Sequence, residues 1–169
     1  HDTMTDIANC GGCGKPCADP ANAKGQCVGG KCGLAMCQPG FADCNQDPSD
    51  GCEVNLAADA ANCGACGTSC KIKNAIAQCS GTCYIAACNF GFDDCNSDAR
   101  DGCEVDVLAN SQNCGACGAR CASVSRGRNT CLNGSCQITS CDNGYGDCDG
   151  VVNNGCEVNL KSDVTGCGK

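Results

Sequence analysis

The chain has 169 residues, 25 of them cysteine, no tryptophan and a formal net charge of −8. Isoleucine, leucine, valine and phenylalanine make up only about 13% of it, below the level at which a chain of this size folds by burying aliphatic surface, so a conventional apolar core is excluded. The acidic balance and the few, scattered basic residues also argue against a nucleic-acid surface, which needs clustered cations and stacking rings.

Cysteine stands at about 15% of the residues, past the roughly 8–10% that marks a disulfide scaffold. Cross-links at this density persist only in an oxidising compartment, so a secreted, cell-surface or periplasmic protein is expected. The sequence opens on His1 with no charged-then-apolar leader, and its apolar runs are too short to span a bilayer. We therefore expect a processed product or segment with no transmembrane span.

Along the chain, Asn9-Cys10-Gly11-Gly12-Cys13-Gly14 returns as Asn62-Cys63-Gly64-Ala65-Cys66-Gly67 and as Asn113-Cys114-Gly115-Ala116-Cys117-Gly118. The first cysteines of these clusters, with Cys167, are spaced 53, 51 and 53 residues apart, in the range of repeat arrays. The expected organisation is three tandem cysteine-rich repeats, 1–58, 59–109 and 110–162, followed by 163–169 as the start of a truncated fourth. The expected fold is small, disulfide-rich and irregular with short β-hairpins, the repeats of about 52 residues forming an elongated rod.

Within each repeat the Cys-Gly cluster reads as loop. A hairpin follows it: Gln26–Cys37 and Thr130–Cys141 carry Gly29-Gly30 and Asn133-Gly134 where a two-residue turn demands positive φ. The middle repeat shortens this to Cys79-Ser80-Gly81-Thr82-Cys83. A third short strand is predicted from the alternation in Cys52–Leu56, Cys103–Val107 and Cys156–Leu160. Helix is expected nowhere beyond a single turn at Leu56–Ala61 and its counterparts. Phe41, Phe92 and Tyr145, each after a glycine and three residues before a cysteine, are expected to cover disulfides.

The unit Asp-x-x-Asn-Cys-Gly-x-Cys-Gly-x-x-Cys at Asp59–Cys70, its counterpart at Asp6–Cys17, and the later Asp-Cys and Gly-Cys-Glu-Val pieces resemble the cysteine-rich repeats of large secreted proteins of myxobacteria and related bacteria. The resemblance spans nearly the whole chain and implies an extracellular disulfide-bonded module, with no established chemistry. The first dozen residues of the unit are also similar to the plant stigma-specific secreted protein family, though that family carries adjacent Cys-Cys pairs and this sequence has none.

The eight cysteines Cys10, Cys13, Cys17, Cys27, Cys32, Cys37, Cys44 and Cys52 have the same spacing as Cys114, Cys117, Cys121, Cys131, Cys136, Cys141, Cys148 and Cys156. Cys63, Cys66, Cys70, Cys79, Cys83, Cys88, Cys95 and Cys103 follow it with a shorter hairpin. If every repeat closes four bridges within itself, these 24 are paired and Cys167 is left over, unpaired or bonded to a neighbouring chain or to a missing continuation of this one. Eight cysteines allow 105 pairings, and spacing suggests only that the close pairs bond outward to hairpin cysteines. The C-x2-C pairs could also suggest zinc, a thiolate cluster or redox work. With one histidine and no βαβ pattern, structural disulfides are the better reading.

The acidic segments before the last cysteine of each repeat leave two readings open. Asp43, Asn45, Asp47, Asp50 and Glu53, repeated as Asp94, Asn96, Asp98, Asp101 and Glu104, place hard oxygen ligands at alternate positions, as Ca2+ would require. The same residues also build turns between cross-linked cysteines. The third copy, Asp147–Glu157, has fewer carboxylates. No nucleophile and base pattern is legible, so no enzyme is expected. The expected function is a structural extracellular protein, a disulfide-stabilised rod that self-associates head to tail into a surface filament, sheath or stalk. The alternative is a calcium-ordered adhesion or glycan- or receptor-binding module.

Overall fold

The computed structural model describes residues 2–163, 165 and 167. Of the segment 163–169 set apart above, residues 164, 166, 168 and 169 lie outside the described residues, as does His1. The chain divides into two compact units, one made of His1–Lys71 with Ala77–Ala86 and the other of Ile72–Ile76 with Ala87–Lys169. No helix is long and apolar enough to cross a membrane among the described residues.

Strands are short and antiparallel. The first hairpin joins β1 (Ala23–Val28) to β2 (Lys31–Cys37); β3 (Phe41–Ala42) then pairs with β4 (Val54–Asn55). A second set follows as β5 (Ala75–Cys79) with β6 (Cys83–Cys88), and β7 (Phe92–Asp93) with β8 (Val105–Asp106). The third set is β9 (Gly127–Leu132) with β10 (Ser135–Cys141), and β11 (Tyr145–Gly146) with β12 (Val158–Asn159). The turns are those the sequence calls for: Gly29 and Gly30 have φ of 60° and 74°, Asn133 and Gly134 have 51° and 74°, the left-handed pair of a two-residue hairpin whose twist matches its strands. The predicted third strand does not extend the hairpin sheet. It pairs with a two-residue strand at the aromatic position, too short for any alternation to announce it.

The buried side chains are almost all sulfur. Cys52, Cys103 and Cys156 are 0% exposed, and besides cysteines only Ala23 and Val107 are buried among the apolar residues described. Each of the three cysteines is seated by one backbone contact, its N–H donating to the carbonyl of Ala21 (2.8 Å), Lys73 (3.0 Å) or Ser125 (2.9 Å). The glycine just before each one makes that approach possible. A Cβ on Gly51, Gly102 or Gly155 would stand 2.3, 2.2 or 2.3 Å from the same carbonyl oxygen, and all three have positive φ. Asn22 and Asn74, themselves at φ of 49° and 50°, close the contact from the other side by donating to the carbonyls of Cys52 and Cys103 at 3.1 Å.

Gly102→Ala should therefore cost ~3 kcal/mol, since it combines left-handed strain with a backbone clash. Gly67→Ala, with φ of +75° but open space around its Cβ, should cost about 1 kcal/mol. Scanning calorimetry with the bridges intact separates the two, and equal shifts for both variants would contradict this account of the glycine.

Candidate functional site

Twelve disulfides join 24 of the cysteines, and their pattern recurs along the chain. The first cysteine of each cluster bonds the first hairpin cysteine: Cys10–Cys27, Cys63–Cys79 and Cys114–Cys131. The third bonds the second hairpin cysteine, in Cys17–Cys32, Cys70–Cys83 and Cys121–Cys136. The sixth and eighth bond each other, in Cys37–Cys52, Cys88–Cys103 and Cys141–Cys156. The seventh reaches forward: Cys44 bonds Cys66 and Cys95 bonds Cys117, each across 22 residues and into the following cluster.

That forward step corrects two expectations. Bridges do not close four by four within 1–58, 59–109 and 110–162. Cys13, expected in a bridge, is the free cysteine and is exposed; Cys167, expected to be left over, is bonded to Cys148. The physical reason is the offset of one pairing. Each second-position cysteine is served by the seventh position upstream, so the unserved one lies in the first cluster. Sulfurs of adjacent bridges come close together, as in Cys10, Cys17 and Cys27, but these sulfurs are already bonded to carbon and to sulfur and have no thiolate to offer a metal.

Two backbone hydrogen bonds accompany each forward bridge. Gly64 donates to the carbonyl of Leu56 (2.9 Å) and Gly81 to that of Ala57 (3.1 Å); Gly115 and Gly134 do the same to Val107 (2.8 Å) and Leu108 (3.1 Å). The Asp-x-x-Asn motif serves this junction. Asp59 caps Ala61 at 2.7 Å and accepts from the Asn62 amide at 3.0 Å, while Asn62 accepts from Gly67 at 2.8 Å. Asp6 and Asn9 repeat the arrangement. The amide of Asn62, followed by the backbone donor, holds the Asp59 carboxyl below its ordinary value, and Asn9 does so for Asp6.

In the acidic loops the carboxylates and amides mostly make turns. Asp43 accepts from the backbone of Gln46 at 2.6 Å, Asn45 from Asp47 at 2.7 Å, and Asp47 from Ser49 at 2.9 Å. Asn45 also donates to Asp50 at 2.9 Å, and Glu53 accepts from Cys44 at 3.0 Å. Asp94, Asn96, Asp98, Asp101 and Glu104 occupy the same network. The third loop reverses one pair, with Asn154 donating to Asp149 at 2.8 Å, so the carboxylate missing from the sequence is an exchange of partners. Gln46, Ser97 and Gly150 share positive φ, 63°, 61° and 72°, each N–H turned back onto Asp43, Asp94 or Asp147.

Ligand atoms of Asp147, Asp149 and Glu157 lie within 4.8 Å of one another. Glu157 Oε1 accepts from Cys148 at 3.0 Å, while its Oε2 is buried without a partner. Among the described residues, the carboxylates singled out in the first two loops form no such all-acidic group. Of the aromatics, Tyr145 lies under the Arg126 guanidinium, 4.7 Å from ring centroid to Cζ, a contact the repeat pattern did not announce. Shallow grooves of about 300 and 170 Å3 recur between hairpin and acidic loop, one lined by Asp19, Pro20 and Pro48, the other by Arg120, Asn129 and Asn153.

Alkylating the unreduced monomer should add one label, mapping to Cys13. The Arg100 guanidinium, with the Arg100 backbone N–H, holds the Asp98 carboxyl down to about 2. A folded value below the unfolded one stabilises the loop above pH ~4 and loses that contribution as pH falls toward about 2. Carboxyl resonances followed by NMR should place the Asp98 midpoint there, and Arg100→Ala should return it toward the ordinary aspartate value.

Comparison with known proteins supplies no relative: no family model matches the chain, and neither a curated protein nor a solved structure matches it.

Proposed function

We propose that this is a structural extracellular protein, a disulfide-stabilised rod that assembles head to tail into a surface filament, sheath or stalk. The observation that carries the reading is the junction between consecutive segments. A disulfide from seventh to second cysteine and two backbone hydrogen bonds make the same connection at Cys44–Cys66 and at Cys95–Cys117. A connection that each segment offers on one side and accepts on the other does not close on itself, and a heterologous contact of that kind propagates. The chemistry supports the same reading. The motif residues Asp59, Asn62, Asp94 and Asn96 spend their polar groups on their own backbone, and dense bridging suits an oxidising exterior. The resemblance to secreted bacterial repeats points the same way.

A second reading, calcium-ordered adhesion, is favoured by one feature, the convergence of Asp147, Asp149 and Glu157, a residue whose Oε2 is buried without a partner. Hard oxygen donors of this kind fit Ca2+.

Negative-stain electron microscopy with sedimentation velocity tests the first reading: extended oligomers that grow with concentration are expected, and a monomer at every concentration would reject it. Calcium titration calorimetry on the wild type and Glu157→Gln tests the second. Saturable heat lost in the variant supports it; no heat at millimolar calcium rejects it.

A further inference from the structure

The third repeat departs from the acidic character of the chain. Between Asp106 and Asp142 there is no carboxylate side chain, and three of the four arginines, Arg120, Arg126 and Arg128, fall inside that stretch. Arg126 lies over the Tyr145 ring. Arg120 lines the groove of about 170 Å3 between hairpin and acidic loop, which no carboxylate lines. Its guanidinium has no hydrogen-bond or ion-pair partner among the described residues.

The rest of that groove mixes amides, a hydroxyl and apolar surface. Asn129 donates its Nδ2 to the carbonyl of Ala122 at 2.7 Å, which fixes the amide and leaves Oδ1 as an unused acceptor. Ser123 and Asn153 are exposed, and their side chains make no hydrogen bond among the described residues. Val124 and Val152, both half-buried, add the apolar part of the wall. The groove of the first repeat occupies the same place with different chemistry. Counted from the cysteines, Pro16 and Ser69 stand where Arg120 does, and Asp19 stands for Ser123, its carboxylate tied to Lys24 at 2.8 Å. The unpaired cation is therefore particular to the third repeat.

We propose that this groove binds an acidic sugar, a pyranose ring carrying a carboxylate. The Arg120 guanidinium is a planar fork that meets a carboxylate with two parallel N–H donors. Sugar hydroxyls both donate and accept, and Asn129 Oδ1, the Asn153 amide and the Ser123 hydroxyl answer both demands. The two valines cover the C–H face of the ring, the usual division of labour in a small-molecule site. A volume of about 170 Å3 suits one ring. An acidic side chain from a second copy is the poorer occupant, because it would engage Arg120 and leave the amides unanswered. The loop aspartates Asp43, Asp47, Asp94 and Asp98 already accept from their own backbone. The site goes beyond the two readings above, since it needs neither a polymer nor calcium.

The test uses the isotope-labelled 169-residue chain, titrated with glucuronate, glucose and acetate at constant ionic strength while the side-chain N–H signals of Arg120, Asn129 and Asn153 are followed by NMR. Glucuronate should give saturable shifts at these three residues, with a dissociation constant on the order of 1 mM for so small a ligand. Glucose and acetate should each bind at least about 10-fold more weakly, since each offers half of the recognised chemistry. Arg120→Gln removes a side chain without a partner among the described residues, so its melting temperature and disulfide map should match the wild type while its preference for glucuronate over glucose disappears. No shift at the groove, acetate bound as tightly as glucuronate, or a preference that survives in Arg120→Gln would overturn the proposal. So would groove shifts that grow with protein concentration in the absence of sugar, which would give the groove to a second copy.

Discussion

Everything in this fold depends on the hairpin cysteines bonding away from each other. Cys27 lies directly opposite Cys32 in the strand register, and Cys131 opposite Cys136, so the shortest available bridge would run across the hairpin. Such a bond would staple two strands that are already hydrogen-bonded and leave the Cys-Gly cluster loose. Instead one sulfur of each pair ties down the first cluster cysteine and the other the third. A loop with no aliphatic side chain larger than proline is thereby held against a hairpin with few. Bridges closing loops of 13 to 22 residues each remove about 3 kcal/mol of loop entropy from the unfolded chain, and aliphatic burial has no comparable source here.

With so little regular structure, the backbone needs partners from elsewhere, because an unpaired buried N–H or C=O is costly. Short polar side chains supply many of them. Aspartate and asparagine accept from backbone N–H groups two, three or five residues ahead, at Asp59, Asp43 and Asn62, which is turn chemistry repeated until it becomes architecture. The net charge of −8 is partly a by-product of this. Carboxylates that look in sequence like a binding feature are for the most part the hydrogen-bond acceptors of their own loops.

The hairpins were legible because Gly-Gly and Asn-Gly have few other uses between alternating residues, and the Asp-x-x-Asn unit was legible as loop. Connectivity was not, for a reason visible in Cys44 and Cys66. Spacing along the chain says nothing about which sulfurs meet in space, and a repeat of eight cysteines invites the assumption of self-contained pairing. The signal lay in the order of positions: Cys44 and Cys95 precede the second-position cysteines Cys66 and Cys117 by the same 22 residues. The seats of Cys52, Cys103 and Cys156 were also missed. They depend on the carbonyls of Ala21, Lys73 and Ser125, and a backbone atom leaves no mark in side-chain identity, although Asn22 and Asn74 at positive φ were a usable clue. Asp147, Asp149 and Glu157 converge in the loop poorest in carboxylates, so the number of acids along a loop does not foretell how closely they approach one another.

The bridges overlap in sequence like links, each opening before the last has closed, except in three places. Between Cys32 and Cys37, Cys83 and Cys88, and Cys136 and Cys141, no disulfide spans the backbone. These stretches are the second strands of the three hairpins, and the division between the compact units falls in the middle one. Under a pulling force, slack can be paid out fully only there. Elsewhere between Cys10 and Cys167 a bond shorter than the unravelled loop takes the load. The same geometry sets the damage a protease can do: a single cut inside a spanned region leaves the pieces joined, and severing the chain between Cys10 and Cys167 requires reaching a strand of six or seven residues held in its hairpin.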